Sequence, residues 1–300
     1  MNGATNLINF YKQFPDEQAC RDFLQNARWG SVTMCPKCGV SDTKIYKLKD
    51  SRLLKCATCR RPFSVRVGTV FEDSALPLQS WFLAIYLCTS LKKGISSVQL
   101  AKYLGITQKS AWHMLHRIRH NVTDNTLSLE GVVEVDETYW GGRTTDKQGK
   151  FKNKVAVIGA VEKQKSTGRI KTTVTKTADA TVALPFMRSA IKKGSSVHTD
   201  ESKIYHRVKR EYDHQSVNHS EKEYVREAVS TNTIEGAWDH LKLGLRAIYM
   251  GRVTAKHLAS YCDEFSFRYN FRDMSDGERF VTWFRFSNGK QLTWAELTAK

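Results

Sequence analysis

The chain has 300 residues, of which 41% are hydrophobic, a size that predicts two or three structural units with at least one proper core. It contains 47 Lys and Arg against 30 Asp and Glu, a formal net charge of +17. Such an excess favours a polyanionic partner, because each phosphate neutralised by a basic side chain releases a condensed counterion. Charge alone does not separate DNA from RNA, from an anionic membrane surface or from a merely basic soluble protein.

The sequence indicates an intracellular protein with no membrane partner. Residues 1–15 lack the basic segment and continuous apolar stretch of a signal peptide. The longest apolar run, around residues 81–88, is far shorter than the ~20 residues needed to cross a bilayer. We therefore expect the seven cysteines to be metal ligands or buried thiols rather than disulfides.

Four cysteines form two closely spaced pairs, which strongly indicates a structural zinc site. Each pair has the C-x-x-C spacing, and 17 residues separate the pairs, which are Cys35 with Cys38 and Cys56 with Cys59. Zn²⁺ takes four soft ligands in a tetrahedron, and a closed four-cysteine site leaves no position for water. Residues 43–48 and 62–67 are predicted as the arms of a zinc ribbon. A redox pair is the alternative. The other cysteines lack such partners, and Cys88 and Cys262 are interpreted as core thiols.

Residues 78–120 have the three- and four-residue spacing of apolar side chains that is typical of helices. Within them, residues 96–112 indicate a helix, a turn at Gly105, and a second helix that Thr107 can cap. A helix-turn-helix places its second helix in the major groove. The side chains predicted to face outward and contact DNA are Lys109, His113 and Arg117. An ordinary helical hairpin is the alternative.

Beyond Asn121 the apolar spacing changes to the two-residue period of strands. The sequence predicts an α/β sheet with strands at 132–136, 155–161, 169–175 and 196–200, and helices at 180–191 and 232–242. Asp136 and Asp200 are each expected at a strand end, where they would repel one another without a divalent cation. Mg²⁺ takes few carboxylates and leaves room for phosphate oxygens. Two such ions ~3.5–4 Å apart can hold both oxygens of an in-line displacement.

A third ligand is expected from another element. Glu235 is separated from Asp200 by 34 residues, and Lys242 lies two turns further along the same helical face, where it can contact a DNA phosphate. Asn232-x-x-Glu235 also fits a helix capping box, with Asn232 as the cap. An aspartate at a strand end is commonly just a turn residue. Only the combination of these residues predicts a site.

Several segments resemble the ISXO-like insertion-sequence transposases, over about residues 20–280. Residues 133–143 (VEVDETYWGGR) are similar to the first-aspartate signature of that family, and residues 198–201 to its second. Residues 231–242 resemble its third site, and residues 263–270 its C-terminal helix. The zinc ribbon, with the stretches that follow it at residues 63–65 and 68–71, also fits.

The resemblance implies a ribonuclease H-like catalytic domain, a mixed sheet with helices. It also implies cleavage at element ends and strand transfer that depend on Mg²⁺ or Mn²⁺. Related transposases use Asp-Asp-Glu, whereas this family is often described with Asn as the third residue, and this chain has both. Spacing favours Glu235 as the ligand beside Asp136 and Asp200, with Asn232 as the cap or a supporting group. Glu134 and Glu137 are interpreted as bystanders, and Tyr205, His219 and Trp238 as scaffold or DNA contacts.

We therefore predict three units: an N-terminal helix and zinc ribbon (1–75), a helix-turn-helix-like DNA-binding segment (76–125) and a catalytic domain (126–290). The predicted function is that of a DNA transposase of a bacterial-type insertion sequence. It would act on double-stranded DNA at the nucleoid, as a homo-oligomer when two ends are paired. One alternative is a non-catalytic zinc-ribbon and helix-turn-helix regulator, which leaves the acids unexplained. The other is an inactive transposase remnant. A plain nuclease shares the active site and differs only in its products.

Overall fold

The chain divides into two compact units, one of residues 1–122 with 274–300 and one of residues 123–273. The computed structural model describes residues 6–41, 43–49, 52–123, 126–141, 144–145, 151–152, 154–164, 167–217, 225–226, 229–286 and 291–299. Gly142, Arg143 and His219, which the sequence singled out, lie outside these residues. Within the described ranges, every helix is too short or too polar to cross a bilayer.

The first unit opens with two helices, the ribbon strands and three further helices. In chain order they are α1 (Leu7–Gln13), α2 (Glu17–Trp29), β1 (Ile45–Lys47), β2 (Leu54–Cys56), β3 (Pro62–Phe63), α3 (Leu78–Ser90), α4 (Ser97–Leu104) and α5 (Gln108–Asn121). The strands form an antiparallel sheet in the order β1-β2-β3. The predicted arm at 43–48 contains β1, whereas the arm at 62–67 is reduced to the two-residue β3. β2 was not predicted, because three residues are too few to show an alternation.

The helical pair α4 and α5 has the geometry that the sequence predicted. Ser96 and Thr107 are the N-caps, and the Thr107 hydroxyl accepts from the backbone N–H of Ser110 at 3.1 Å. Gly105 ends α4 in the left-handed conformation at φ 63°, where a Cβ would be strained. The two helices and the turn at Gly105 are thus confirmed, and their assignment as a helix-turn-helix stays a prediction.

The second unit is an α/β domain. Its elements are β4 (Val132–Trp140), β5 (Thr144–Thr145), β6 (Phe151–Lys152), β7 (Val155–Glu162), β8 (Ile170–Thr175), α6 (Ala180–Ala190), β9 (Ser196–Asp200), β10 (Asp213–Val217), β11 (Val225–Arg226), β12 (Val229–Ser230), α7 (Asn232–Ala247) and α8 (Ala255–Asn270). The main sheet has five strands in the order β10-β9-β4-β7-β8. β4, β7 and β8 are antiparallel neighbours, whereas β9 is parallel to β4 and to β10. This is the ribonuclease H-like arrangement.

The two faces of this sheet carry separate cores. Val133 and Val135 of β4 pack with α6, and Val157 and Val161 of β7 pack with α7 and α8. Side chains alternate along a strand, so Glu134 and Asp136 project from β4 towards the α7 face. The strand pattern thereby places two acids on the side of the helix that carries Asn232 and Glu235.

Asp136 is not at a strand end, as the sequence had suggested. It lies in the middle of β4, paired with Gly159 of β7, because β4 continues to Trp140. The sequence ended this strand at Asp136 and expected residues 139–143 to turn the chain. Tyr139 and Trp140 stay in β4 instead, because they pair with Ala156 and Val155 of β7. Asp200 does end its strand, as predicted.

The chain returns to the first unit with α9 (Asp276–Trp283) and α10 (Trp294–Thr298). Phe280 of α9 packs at 5.7 Å from Phe82 of α3 and at 5.8 Å from Phe10 of α1, centroid to centroid. Aromatic rings at this separation contribute both burial and favourable edge contacts. Residues 274–286, which the sequence assigned to the catalytic domain, therefore pack in the core of the first unit.

Candidate active site and metal centres

The four predicted zinc ligands come together at one point of the ribbon. The Sγ atoms of Cys35, Cys38, Cys56 and Cys59 all lie within 4.8 Å of one another. Sγ of Cys35 is 3.8 Å from that of Cys59, and Sγ of Cys38 is 3.9 Å from that of Cys56. A tetrahedron with Zn–S bonds of about 2.3 Å has edges of roughly 3.8 Å, so the sulfurs match a zinc site.

Backbone N–H groups favour the thiolate form of one of these cysteines, Cys56. The N–H groups of Cys59 and Thr58 hydrogen-bond to Sγ of Cys56 and lower the pKa of its thiol to about 6. A thiolate is the form that binds zinc. By contrast, Cys20, Cys88 and Cys262 are buried, and burial raises the pKa of the Cys20 and Cys262 thiols. The interpretation of Cys88 and Cys262 as core thiols is confirmed.

The two predicted aspartates meet where the parallel strands stop pairing. β4 and β9 pair from Val132↔Ser196 to Glu134↔His198. Continuing that register by two residues places Asp200 opposite Asp136, beyond the last paired residues. Residues in register on parallel strands have side chains on the same face of the sheet. The strand topology therefore places the two carboxylates on the same face of the sheet, just beyond the last paired residues of β4 and β9.

Asp136 is half-buried and lies near other acidic side chains. Burial is the main cause that raises its pKa from 3.8 to about 7, and the negative charges of Glu137 and Asp200 raise it further. Burial also raises the pKa of Glu137, although that carboxylate accepts a hydrogen bond of 2.7 Å from the Tyr205 hydroxyl. Tyr205 is itself buried. Three carboxyl groups, those of Asp136, Glu137 and Asp200, thus lie near one another, and none of the groups named here is a cation.

Glu134, set aside as a bystander, holds the start of α7. Its side chain is fully buried, and its carboxylate accepts from the backbone N–H groups of Thr233 at 2.8 Å and Ile234 at 3.0 Å. The hydroxyls of Thr233 and Ser230 donate to it at 3.1 and 3.2 Å, and Lys163 Nζ lies 3.7 Å away. An anion at a helix N-terminus satisfies the first free N–H groups and the helix dipole. The signal in the sequence was an acid two residues before Asp136, on the same face.

The capping box weighed for Asn232 and Glu235 is wrong. Thr231 is the N-cap, Asn232 is the first helical residue, and the N–H groups of the first turn go to Glu134. Glu235 instead accepts a hydrogen bond of 2.8 Å from the Thr231 hydroxyl. The capping-box prediction failed because the acceptor for these N–H groups is Glu134 of β4, which lies about 100 residues earlier in the chain.

The helix geometry separates Glu235 from Asn232. Ile234, Trp238 and Leu241 form the buried side of α7, while Glu235 is half-buried and Asn232 is exposed. At about 100° per residue, Asn232 lies roughly 60° further towards solvent than Glu235. Lys242, also half-buried, lies within roughly 20° of Glu235. Glu235 and Lys242 therefore border the face that contacts β4.

The structure does not draw all the predicted ligands into one tight cluster. Among the described residues, the cysteines are the single group of three or more His, Cys, Asp or Glu whose ligand atoms lie within 4.8 Å of one another. Asp136, Asp200 and Glu235 therefore do not form a closed cage of this size. An open arrangement is what a metal that also binds phosphate oxygens needs.

The second helix of the helix-turn-helix differs from the prediction in one residue. Arg117 was expected to face outward, but it is buried, donates to the carbonyl of Glu72 at 2.6 Å and lies over the Trp81 ring. The prediction was wrong because the last turns of α5 pack inside the first unit. Lys109 is exposed, and its Nζ lies 4.6 Å from the centroid of Trp294 in α10.

His113 is half-buried beside the same C-terminal residues. Its Nε2 lies 3.3 Å from the carbonyl of Leu292, and its ring lies 5.4 Å from that of Trp294. Burial lowers the pKa of His113, and a neutral imidazole contributes no charge to a phosphate contact. Of the three predicted DNA contacts, Lys109 is therefore the best supported, because it is exposed and carries a charge.

Gly159 is required because a side chain at this position would clash with its neighbours, and not because of its backbone conformation. A Cβ on Gly159 would lie 2.4 Å from Cη2 and 2.7 Å from Cζ2 of Trp238. We expect Gly159→Ala to destabilise the protein by about 1–3 kcal/mol, because the ring and the strand must move apart. Chemical denaturation of the full chain measures this.

Gly236→Ala is the matched control. Gly236 is exposed in α7, and a Cβ there meets nothing within 4 Å. The same substitution is therefore expected to stabilise the protein by up to about 1 kcal/mol, because alanine is the better helix former. Equal effects of the two substitutions would contradict the packing of Trp238 on β7.

Comparisons with known proteins match both units of this description. A family model described as an ISXO2-like transposase domain matches residues 128–270, and one described as a transposase zinc-ribbon domain matches residues 15–62. A protein described as uncharacterized, in the transposable element ISH50 of Halobacterium salinarum, is 26% identical over 277 residues, covering 86% of this chain and 92% of its own length.

Two solved structures show weak overall similarity. One is a chain of the simian T-cell lymphotropic virus intasome in complex with PP2A regulatory subunit B56 gamma, with 14% identity and a TM-score of 0.32 over 57% of this chain and 63% of that one. The other is the Drosophila P element transposase strand transfer complex, with 11% identity and a TM-score of 0.28 over 66% of this chain and 57% of that one.

The two family models describe successive domains of one kind of transposase and occur here in one chain. The zinc-ribbon match contains the four clustered cysteines, and the transposase-domain match spans the five-stranded sheet. The chain therefore carries an ISXO2-like transposase domain with a transposase zinc-ribbon domain ahead of it.

Proposed function

We propose that this protein cuts the ends of its insertion sequence and joins the 3′-hydroxyls to target DNA. The observation that carries the proposal is the half-buried carboxylate of Asp136, which faces Asp200 across the sheet and whose pKa is raised by desolvation and by the charges of Glu137 and Asp200. A buried acidic side chain that stabilises a fold is paired with a cation or accepts hydrogen bonds from several donors. An acid kept in a repulsive environment points to a functional site.

The chemistry of these residues fits Mg²⁺ or Mn²⁺. Carboxylate oxygens are hard ligands, and Mg²⁺ is commonly held by one or two carboxylates together with substrate phosphates. When bound, divalent metal supplies a lowered pKa for the attacking water or 3′-hydroxyl and a counter-charge for the leaving oxygen. We assign Asp136 and Asp200 as the first two ligands, since they share one face of the sheet.

Glu235 is our choice for the third ligand. It borders the face of α7 that contacts β4, whereas Asn232 lies further towards solvent. A carboxylate also matches a hard cation better than an amide carbonyl does. Lys242, on the same edge of the helix, is assigned to a DNA phosphate beside the carboxylates. The protein then supplies positioning and charge, which dominate phosphoryl transfer.

DNA binding is assigned to the ribbon, to the helix-turn-helix and to the net charge of +17. Lys109 is the side chain on α5 that we expect to reach DNA. We keep residues 1–75 and 76–125 as the proposed DNA-binding segments, and we end the proposed catalytic segment at residue 273, because residues 274–286 pack in the first unit. Two element ends must be held together for joining, which requires an assembly of at least two copies.

The test is an in vitro joining reaction. Purified protein is mixed with a donor plasmid carrying its own gene and flanking DNA, a supercoiled target, and Mg²⁺. We expect Asp200→Asn to reduce joined products by at least about a thousandfold, because a required ligand charge is lost. Glu235→Gln is expected to cost more than Asn232→Ala. The reverse order would transfer the third ligand to Asn232.

Asp213→Asn is the matched control, because Asp213 is exposed at the start of β10 and away from the strand ends that meet Asp136. It should join DNA as well as the native chain does. DNA binding without cutting in Mg²⁺ or Mn²⁺ would favour the regulator or an inactive remnant. Cut but unjoined ends would identify a plain nuclease.

A further inference from the structure

One side chain of α7 contacts the first aspartate directly. The indole Nε1–H of Trp238 donates to Oδ2 of Asp136 at 3.0 Å. Trp238 is buried, with 3% of its surface exposed, whereas its acceptor Asp136 is half-buried. A carboxylate has two oxygens and about four acceptor positions. The Trp238 donor on Oδ2, together with the backbone N–H of Glu137 that also donates to this carboxylate, therefore fixes the orientation of the group and leaves acceptor positions for a cation.

The neighbouring strand is shaped to admit the indole. Gly159 is the cross-strand partner of Asp136, and it leaves room beside Asp136 for the six-membered part of the Trp238 ring. Any side chain at Gly159 would displace the ring, since even a Cβ comes within 2.4 Å. The Trp238 to Asp136 contact thus depends on the glycine opposite the acid.

A second anchor holds the same helix to the same strand. Glu134, two residues before Asp136 in β4, binds the backbone N–H groups of Thr233 and Ile234. Trp238 follows these residues by about one turn of α7. Glu235 lies between the two anchors along the helix. Its position relative to Asp136 is therefore set by both contacts.

We propose that Trp238 is a positioning residue of the active site. It orients the Asp136 carboxylate for a divalent cation and, with Glu134, sets the distance between that carboxylate and Glu235. This inference rests on the proposed function, since it assigns a role within that site. Trp238 touches neither the DNA nor the reacting atoms in this role; it acts through Asp136.

Trp238→Phe tests the inference because it keeps an aromatic ring on Gly159 and removes the N–H. Trp140→Phe is a matched control in the same strand as Asp136. Its indole Nε1–H also donates at 3.0 Å, but to the backbone carbonyl of Val253. Each variant loses one indole hydrogen bond of equal length, and only one of the two bonds reaches an acid of the site.

The first readout is Mn²⁺ affinity, measured by electron paramagnetic resonance on the full chain with its zinc retained. We expect Trp238→Phe to weaken Mn²⁺ binding by about 10- to 100-fold, the usual cost of losing a group that orients a metal ligand. Trp140→Phe should stay within about twofold of the native affinity. Asp136→Asn and Asp200→Asn should abolish binding at the site.

The outcomes separate the two proposals. Mn²⁺ binding that is lost in the aspartate variants and unchanged in Trp238→Phe would overturn the positioning role while the metal site stands. The absence of any Mn²⁺ site that depends on Asp136 would refute the metal site itself, and the positioning role with it. Equal weakening by Trp238→Phe and Trp140→Phe would show a general structural effect and overturn the inference.

A second measurement uses the native side chain, in case Trp238→Phe does not fold. The indole N–H resonances of the ¹⁵N-labelled protein are recorded before and after Mg²⁺ is added. The resonance of Trp238 should move on metal binding and in Asp136→Asn, while that of Trp140 should not. A Trp238 resonance indifferent to both changes would contradict its bond to Asp136.

Discussion

Replacing Asp136 by asparagine is expected to raise the thermal stability of the metal-free protein at pH 8 and to abolish DNA joining. The two effects have the same cause. The raised pKa, about 7, means that the folded state resists ionisation of this carboxyl. Asparagine removes the charge, keeps an oxygen that can accept from Trp238, and cannot supply a carboxylate to a metal.

The sign follows from proton linkage. The pKa of Asp136 is higher in the folded chain than its ordinary value of 3.8, so the folded state binds the proton more tightly. Stability is therefore greatest below about pH 4 for this group and falls as the pH rises through about 7. The full difference corresponds to at most about 4 kcal/mol. Half of it, roughly 2 kcal/mol, shifts the Tm of a unit this size by roughly 4–8 °C.

Differential scanning calorimetry of the native chain and the variant, at pH 5 and pH 8, measures this effect. The gain in Asp136→Asn should be larger at pH 8, and Mg²⁺ should raise the Tm of the native chain alone. Asp213→Asn, at an exposed position, should change stability by less than about 0.5 kcal/mol. A variant that is less stable than the native chain at pH 8 would refute the account of burial and repulsion.

Removal of zinc is expected to unfold the ribbon. Its strands have three, three and two residues, and its core consists of four buried residues with a few partly buried neighbours. Such a core is too small to fold alone. Structural zinc contributes on the order of 10 kcal/mol to domains of this kind. The metal therefore accounts for most of the stability of residues 35–63.

The measurement is hydrogen exchange of the ribbon amides, with and without a chelator, beside the zinc content per chain. We expect one zinc per native chain, and loss of both zinc and ribbon protection in Cys56→Ser. Cys20→Ala is the control, since Cys20 is a buried thiol of α2 outside the cluster. Its zinc content should be unchanged. Ribbon amides that stay protected after zinc is removed would contradict the prediction.

Much of the fold was readable from local patterns. Cysteine spacing identified the zinc ribbon, because two C-x-x-C turns are a local requirement of tetrahedral coordination. The caps Ser96 and Thr107 and the glycine between them define α4 and α5 within a few residues. The strands of the catalytic unit were located to within about one residue where apolar side chains were continuous, as in β7. Short or polar strands such as β2 and β10 were missed, since they carry no such pattern.

The composition of the candidate site was also readable, but its organisation was not. Asp136, Asp200 and Glu235 are individually ordinary residues, and their combination with a family signature singled them out. The sequence did not reveal that Asp136 lies mid-strand, that Glu134 caps α7, or that Trp238 binds Asp136. Each of these depends on partners far apart in the chain. Arg117 shows the same limit, since helical periodicity cannot tell which turn of a helix is covered by another segment.

The sequence by itself therefore determined the chemistry available to this protein: four thiolates for zinc, a set of carboxylates for a hard cation, and an excess of basic side chains. These follow from residue types and short spacings, which are local properties. Tertiary structure alone decided which acids share one face of the sheet, which of them is buried, and which helix holds them. Those depend on strand register and on packing between segments about 100 residues apart, and both are settled only when the whole core forms.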